Sequence, residues 1–446
     1  MSWIVDYIQS KGGQIAVIFG GNEYSYTQLA EQIRMYYDEV QNKLYSGAVI
    51  AIISDYCFES IALFFALYEN RNIIVPVTSR IEAEIEEKLS VAGCNYIISI
   101  EKGYLEFKEY FGKNETHLLI CDLRTMNVSG LVLFSSGSTG VPKAMIHNLN
   151  TLIDSFRNKK GRNLTFLIFL MFDHIGGLNT LLSCLSMGTT MVFPVNRNPE
   201  HVCGLIEKYK VNVLPASPTF LNLILISESY MKYDLSSLRM ITYGTEPMQD
   251  ALLLRLKDVF PEVKFLQTFG TSETGISQTL SRSSTSTQLK IDDPNTEYKI
   301  VDGELFIRTK TQILGYLNYS MEHFTDDGWF KTGDLVEEMD DGYIKIVGRN
   351  KELINVGGEK VLPSEVESVL FQMERVKDCI VFGESNPITG QIVVAKILFD
   401  EDISVSDAKK KVTLFCQGKL ERYKIPVRVL LMKEVEFSER FKKKRL

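Results

Sequence analysis

The chain has 446 residues, a formal net charge of −7 and 45% hydrophobic residues. That length exceeds one ordinary core and predicts two or three lobes, and the negative balance excludes a general attraction to nucleic acid or acidic membranes. Seven scattered cysteines without a C-x-x-C pair exclude a disulfide framework and predict reduced thiols in a cytoplasmic protein; H-E-x-x-H and other His/Cys metal spacings are absent.

The opening MSWIVDYIQSKGG has no basic segment leading into an apolar one, so no signal peptide is read there. YSYTQLAEQIRMYYDEVQNKL then predicts a helix with Thr27 as its cap. AVIAIIS reads as a strand, CFESIALFFALYEN as a helix, IIVPV as a strand, EAEIEEKLSVAG as a helix and NYIISI as a strand. Short apolar strands alternating with amphipathic helices predict parallel sheets covered by helices. The runs IALFFALY and LTFLIFLMF fall short of the ~20 residues of a membrane helix. They read as a core helix and a buried strand, and no membrane insertion is expected.

The same rhythm returns in GLIEKYKVNVLPASPTFLNLIL, LRMITYGTEPM and DALLLRLKDVFPEVKFLQTFG, predicting a second wound sheet. After Thr279 the pattern shifts to short strands with Gly and Asp turns, as in YKIVDGELFIRT and GWFKTGDLVEEMDDGYIKIVG, which predicts a small β subdomain. RNKELINVGGEKVLPSEVESVLFQM begins an α+β tail whose helix carries Pro363 in its first turn. The predicted fold class is α/β: a large N-terminal domain of wound sheets plus a small β subdomain (1–348), followed by a small mobile α+β domain (349–446).

FSSGSTGVPK (134–143) concentrates hydroxyls and glycines between a predicted buried strand and the predicted start of a helix. Gly137 and Gly140 permit positive φ, so that backbone N–H groups can converge on one point, and a nest beside a helix N-terminus holds an anion. Ser135, Ser136, Ser138 and Thr139 add donors, and Lys143 adds a cation. The spacing is not that of a Walker A loop.

LVLFSSGSTGVPKAMIH resembles the phosphate-binding signature of the adenylate-forming superfamily, which comprises acyl- and aryl-CoA synthetases, amino-acid adenylation domains and luciferase-like enzymes. YGTEPM (243–248), FGTSETG (269–275), GWFKTGDL (328–335) and GRNKELINVGGEKVLPSEVE (348–367) resemble further motifs of that family, in the family's order. The resemblance covers nearly the whole chain. It implies ATP-dependent activation of a small carboxylic acid as acyl-AMP with release of pyrophosphate, then transfer to a thiol, with coenzyme A as the leading acceptor. One alternative is transfer to the phosphopantetheine of an acyl-carrier protein. Another is a nucleotide-binding protein with impaired catalysis.

Residue by residue, the resemblance implies that Ser135, Ser136, Gly137, Ser138, Thr139, Gly140 and Lys143 cradle the phosphates. Gly244, Thr245 and Glu246 would border the adenine, Phe269 would offer it a flat face, and Gly270, Thr271 and Ser272 would complete the nucleotide site. Ser272 keeps the hydroxyl of the family's usual threonine and is counted with Lys442 as catalytic. Glu273 would carry Mg²⁺, a hard ion that prefers carboxylate oxygen. Asp334 would accept the ribose hydroxyls, with Arg349 beside it, and Lys351 would be the hinge. Asp173 and His174 in FDHIGGL would lie on the substrate and thiol path, Asp173 as an ammonium partner if the acid is an amino acid; a helix-capping role for Asp173 is the plain alternative. Gly357 and Gly358 would let a pantetheine arm pass.

The tail FSERFKKKRL matches the family's lysine loop with Ser438 for threonine, Lys442 for the catalytic lysine and Arg445 for the arginine, but Phe441 replaces a glycine. Phenylalanine resists positive φ, which predicts a loop of different shape, and the basic run leaves Lys443 and Lys444 as alternative registers.

Overall fold

The computed structural model describes residues 1–101, 103–112, 116–135 and 141–443. The fold is mixed α/β, and the chain divides into two compact units. The first comprises Met1–Pro215, Gly270–Ile276 and Arg308–Phe330, the second Ala216–Phe269, Ser277–Ile307 and Lys331–Leu446.

The first unit holds a seven-stranded sheet in the order Gly315–Tyr316, Lys143–Asn148, Gly130–Ser135, Ile73–Val77, Val49–Ile53, Tyr96–Glu101, Tyr104–Glu109. The central four strands are parallel and the outer pairings antiparallel. Side chains alternate between faces along a strand, so each central strand supplies two cores. Ile50, Ile52, Ile74, Leu131 and Leu133 enter one apolar cluster, and Val49, Ala51, Ile73, Val75 and Val132 enter another. Helix Phe58–Glu69 is buried along most of its length, as the run IALFFALY requires.

A second sheet in this unit pairs Thr165–Leu167, Thr190–Phe193 and Ile15–Phe19 in parallel, with Asn22–Ser25 antiparallel at the edge. LTFLIFLMF therefore forms only a three-residue strand before the chain leaves the sheet. The helix Tyr26–Lys43 begins two residues earlier than a cap at Thr27 would give. Its cap is Ser25, not Thr27, because Ser25 and Gln28 exchange side-chain-to-backbone hydrogen bonds in a capping box.

In the second unit, Met240–Tyr243 pairs in parallel with Lys264–Gln267. A six-stranded sheet runs in the order Thr279–Ser281, Gln288–Ile291, Ile344–Arg349, Phe330–Glu338, Glu304–Thr309, Thr296–Val301, around a small core with Leu289, Leu305, Ile307 and Ile344. Toward the C-terminus the long hairpin Val376–Asn386 and Gly390–Phe399 carries Ile354–Val356, Glu359–Val361 and Arg428–Leu431 on its flanks. Helices Pro363–Leu370 and Val405–Cys416 contribute to its core. Among the described residues no helix is long and apolar enough to cross a membrane, and no disulfide joins the cysteines.

Candidate active site

The hydroxyl-rich loop connects two antiparallel strands, Gly130–Ser135 and Lys143–Asn148, with Ser135 opposite Lys143. The helix expected after the loop is absent. Ala144, Met145 and Ile146 are buried inside the sheet, so Lys143–Asn148 offers no helix N-terminus. Ser136, Gly137, Ser138, Thr139 and Gly140 lie outside the described residues.

The loop's exit is clamped by Asn318, whose Oδ1 accepts the Ala144 N–H at 2.9 Å and whose Nδ2 donates to the Pro142 carbonyl at 2.9 Å. Lys143 rests its ammonium 3.5 Å from the Tyr319 ring centroid and 5.9 Å from that of Tyr316, a cation–π arrangement.

Gly270, Thr271, Ser272 and Glu273 lie in the tight hairpin formed by Phe269–Thr271 and Gly275–Ser277. Gly270 is required there, because a Cβ would come 2.3 Å from the Gly275 carbonyl oxygen. The Thr271 and Thr274 hydroxyls hydrogen-bond at 3.0 Å. The Glu273 carbonyl accepts the Ile313 N–H at 2.8 Å, and its Oε1 accepts the Tyr316 hydroxyl at 3.1 Å. Burial and the Glu273 charge push the Tyr316 phenol up, so it remains a donor. His147 is 1% exposed. Burial takes it down to about 4, against the pull of the Thr311 and Ser272 backbone oxygens, and it stands neutral behind the hairpin.

Asp173 and His174 are both buried. The helix Ile175–Met187 is capped by His174, whose Nδ1 accepts the Gly176 N–H at 3.0 Å; Asp173 is not the cap. Its carboxylate lies 3.7 Å from Lys88 Nζ, with the side chains 5% and 11% exposed. Sequence reasoning missed Lys88. The signal was its place in helix Glu82–Ala92, three residues after Ile85 and beside Leu89, on the face that is buried.

In the second unit, Gly244, Thr245 and Glu246 follow the strand Met240–Tyr243. A Cβ on Gly244 would lie 2.5 Å from Thr268 Oγ1, so the close approach this glycine serves is to Thr268. Thr245 has φ of 73°, a strained state for a β-branched residue, and its Oγ1 is buried without a hydrogen-bond partner. Glu246 accepts the Thr219 N–H at 2.7 Å and the Lys443 N–H at 3.1 Å. Phe269, expected to face adenine, is 6% exposed and belongs to the cluster of Leu289, Leu305 and Ile307, so its evident role is packing.

Asp334 and Arg349 are register partners in the six-stranded sheet, and Arg349 Nε donates to Asp334 Oδ1 at 2.9 Å. Burial raises the Asp334 carboxyl, and the guanidinium opposes that shift. Lys351 is exposed in the short turn Asn350–Glu352 that follows. Gly357 and Gly358, at φ of 63° and 96°, form the turn between Ile354–Val356 and Glu359–Val361, with Asn355 Oδ1 accepting the Gly358 N–H at 2.9 Å. A tight hairpin accounts for both glycines.

The tail corrects one expectation. Phe441 adopts φ of 52°, the conformation a glycine would take. Its ring stacks on Phe437 at 5.1 Å and meets Phe220 edge-on at 5.5 Å, which offsets the backbone strain. The residue after it, Lys442, is half-buried. Desolvation, then the nearby Arg349 and Arg440 charges, bring its ammonium down to about 8, with Glu246 opposing. Lys443 turns instead to Asp378, Glu367 and the Cys379 carbonyl. Lys444 and Arg445 lie outside the described residues.

Residues 6–317 match the model of the AMP-binding enzyme family, and residues 365–442 match the AMP-binding enzyme C-terminal domain. A 4-coumarate-CoA ligase 1 from Narcissus pseudonarcissus is 29% identical over 346 residues, 70% of this chain and 63% of the relative. The match to the probable CoA ligase CCL5 of Humulus lupulus, at 31% identity, takes in 60% of this chain and 54% of the relative, so the chain spans less than two thirds of these plant proteins. A 2-succinylbenzoate–CoA ligase from Staphylococcus epidermidis is 24% identical over 458 residues, 98% of this chain and 94% of the relative. Among solved structures, the Bacillus subtilis o-succinylbenzoate CoA synthetase with its acyl-adenylate intermediate gives a TM-score of 0.77 at 21% identity, over 98% of this chain and 95% of that one. The anthranilate CoA ligase AuaEII with anthranoyl-AMP gives 0.80 at 19% identity, over 98% and 94%. At those identities the likeness shows the fold. The match over 6–317, together with the second over 365–442, makes this chain a member of the AMP-binding enzyme family.

Proposed function

We propose that the chain is an AMP-forming acid–thiol ligase that activates a small carboxylic acid with ATP and hands the acyl group to coenzyme A. The observation that carries this reading is the gathering of Asp334 and Arg349, paired across neighbouring strands, with a desolvated Lys442 from the C-terminal tail of the second unit. A buried carboxylate held by an arginine suits ribose hydroxyls, and a desolvated lysine suits a group that gains negative charge during reaction.

In the first step a carboxylate oxygen of the acid attacks the α-phosphorus, the bond to the bridging oxygen breaks, and pyrophosphate leaves with the electron pair. Lys442 would pair with the acid carboxylate and the α-phosphate, Lys143 and the loop around 135–140 with the departing phosphates, and Thr245 with the base or sugar through its unmatched hydroxyl. Ser272 would add a hydroxyl near the α-phosphate. Mg²⁺ fits the donors present. Glu273 offers one carboxylate steadied by Tyr316, and magnesium commonly takes one or two carboxylates plus phosphate oxygens. Among the described residues no cluster of three metal-type side chains competes for it. The ion would supply charge neutralisation on the leaving phosphates. In the second step the thiol of coenzyme A attacks the acyl carbon, the mixed-anhydride bond breaks, and AMP leaves. A boundary at 348/349 with Lys351 as hinge, and a thiol path past His174, Gly357 and Gly358, belong to the same proposal.

The carrier-protein version drew on Asp173 as partner for a substrate ammonium. That carboxylate already faces Lys88 in a buried pair, which favours an acid without an amino group. The test is pyrophosphate release with ATP and Mg²⁺ against a panel of acids that includes 2-succinylbenzoate, 4-coumarate, anthranilate and amino acids, with and without coenzyme A. Release supported by a simple acid and a coenzyme A thioester as product are expected. Release by amino acids alone, or none by any acid, would reject the reading. Asp173→Ala is expected to lower stability by about 3 kcal/mol in thermal unfolding, because it strands a buried ammonium; an unchanged melting temperature with altered acid preference would restore the ammonium-binding role.

A further inference from the structure

Two adjacent lysines in the tail, indistinguishable in the sequence, have opposite surroundings. Lys443 directs its side chain inward, 12% exposed, to a pair of acids that are fully buried. Its Nζ donates to the Cys379 carbonyl at 2.7 Å and lies 3.3 Å from Asp378 Oδ1, 4.0 Å from Glu367 Oε2 and 4.8 Å from the Phe371 ring centroid. Glu367 is itself fixed, accepting the Val381 N–H at 2.9 Å and Gln249 Nε2 at 3.2 Å. Burying two carboxylates is tolerable only with a compensating cation, and Lys443 supplies one.

The backbone is held at the same point. The Lys443 N–H donates to Glu246 Oε2 at 3.1 Å, Ser217 Oγ donates to the Phe441 carbonyl at 2.6 Å, and the Ser438 N–H donates to the Lys442 carbonyl at 2.8 Å. Phe437 and Lys443 close the turn as a β-bridge. Lys443 is committed to the acids, while Lys442, one residue earlier in the same turn, lies in the field of Arg349, Arg440, Glu246 and Lys351.

We propose that Lys443, seated on Asp378 and Glu367 with its amide on Glu246, is the positioning residue that fixes where Lys442 points. This rests on Lys442 being the lysine that meets the acid and the α-phosphate. Lys443 touches no reacting group; it sets register and direction where four basic residues in a row would otherwise permit several.

The test combines two readouts on the full-length protein. Hydrogen exchange followed by mass spectrometry needs no substrate. Lys443→Met is expected to speed exchange in 437–443 by about tenfold or more while the strand Val376–Asn386 keeps its protection. With an acid from the panel, Lys443→Met is expected to lower kcat for pyrophosphate release by about 10- to 100-fold with little change in KM for ATP, while thioester formation from presynthesised acyl-adenylate stays within about twofold. Should Lys443→Met fail to fold, Lys443→Met with Asp378→Asn removes both charges together and carries the same expectations. Unchanged exchange in a folded variant, or equal loss in both half-reactions, would overturn the proposal. Lys442→Ala run in parallel separates the two ideas: full pyrophosphate release by that variant would remove the role of Lys442, while the exchange data still judge Lys443.

Discussion

The Lys442 ammonium is brought down from an ordinary lysine's 10.5 to about 8, chiefly because it is desolvated and secondly because Arg349 and Arg440 repel its charge. The folded protein thus releases this proton before the unfolded chain does, so between those values folding stability rises with pH. Activity runs the other way. If the cation is required, kcat/KM for pyrophosphate release falls as pH rises through about 8. Lys351→Gln removes a neighbouring positive charge and should move that alkaline limb to higher pH; a limb that stays put would show the charge to be irrelevant. Phe441 offers a second measurement at this scale. Phe441→Ala and Phe441→Gly both lose the ring contacts with Phe437 and Phe220, but only glycine relieves the positive φ. The alanine variant should therefore be the less stable by about 1 kcal/mol in thermal unfolding. The turns and strands that hold Glu273, Asp334 and Arg349 were legible in the sequence because their turn chemistry is local, and the roles read for these residues stay with the proposal. Lys88 and the commitment of Lys443 were not, because their partners are set by burial of segments far apart in the chain.

At the scale of elements, the loop at 135–143 is the main correction. A hydroxyl-rich loop after a buried strand suggested a helix mouth, but KAMIHN pairs as a strand with Gly130–Ser135. Local composition did not distinguish these outcomes, since a short apolar run suits either element. The segment Lys143–Asn148 therefore offers no helix terminus, and a side chain ties its start instead. Asn318 bonds both the Pro142 carbonyl and the Ala144 amide. Asn318→Ala should raise KM for ATP about fivefold, equivalent to about 1 kcal/mol, because a loop held at its exit by two hydrogen bonds would lose that hold. Steady-state kinetics with varied ATP check this, and an unchanged KM would mean the exit is held by strand pairing alone.

For the whole molecule, nucleotide binding is the broadest expectation. ATP with Mg²⁺ at a hundred times its Kd should stabilise the folded chain by roughly 2.7 kcal/mol, seen as a raised melting temperature; no shift at saturating nucleotide would contradict the proposed chemistry at its root. The sequence by itself determined the α/β class and the nearly unbroken order of motifs. It also supplied the motif residues proposed to meet a polyphosphate and a ribose, because turn-forming residues act over a few neighbours. Only the tertiary structure decided that Asp173 faces Lys88, that Phe269 is packed in a core, that Phe441 takes a glycine's conformation, and which of two neighbouring lysines turns inward. Those outcomes depend on which distant segments exclude water together, and burial of a charge is settled by partners that no local window contains.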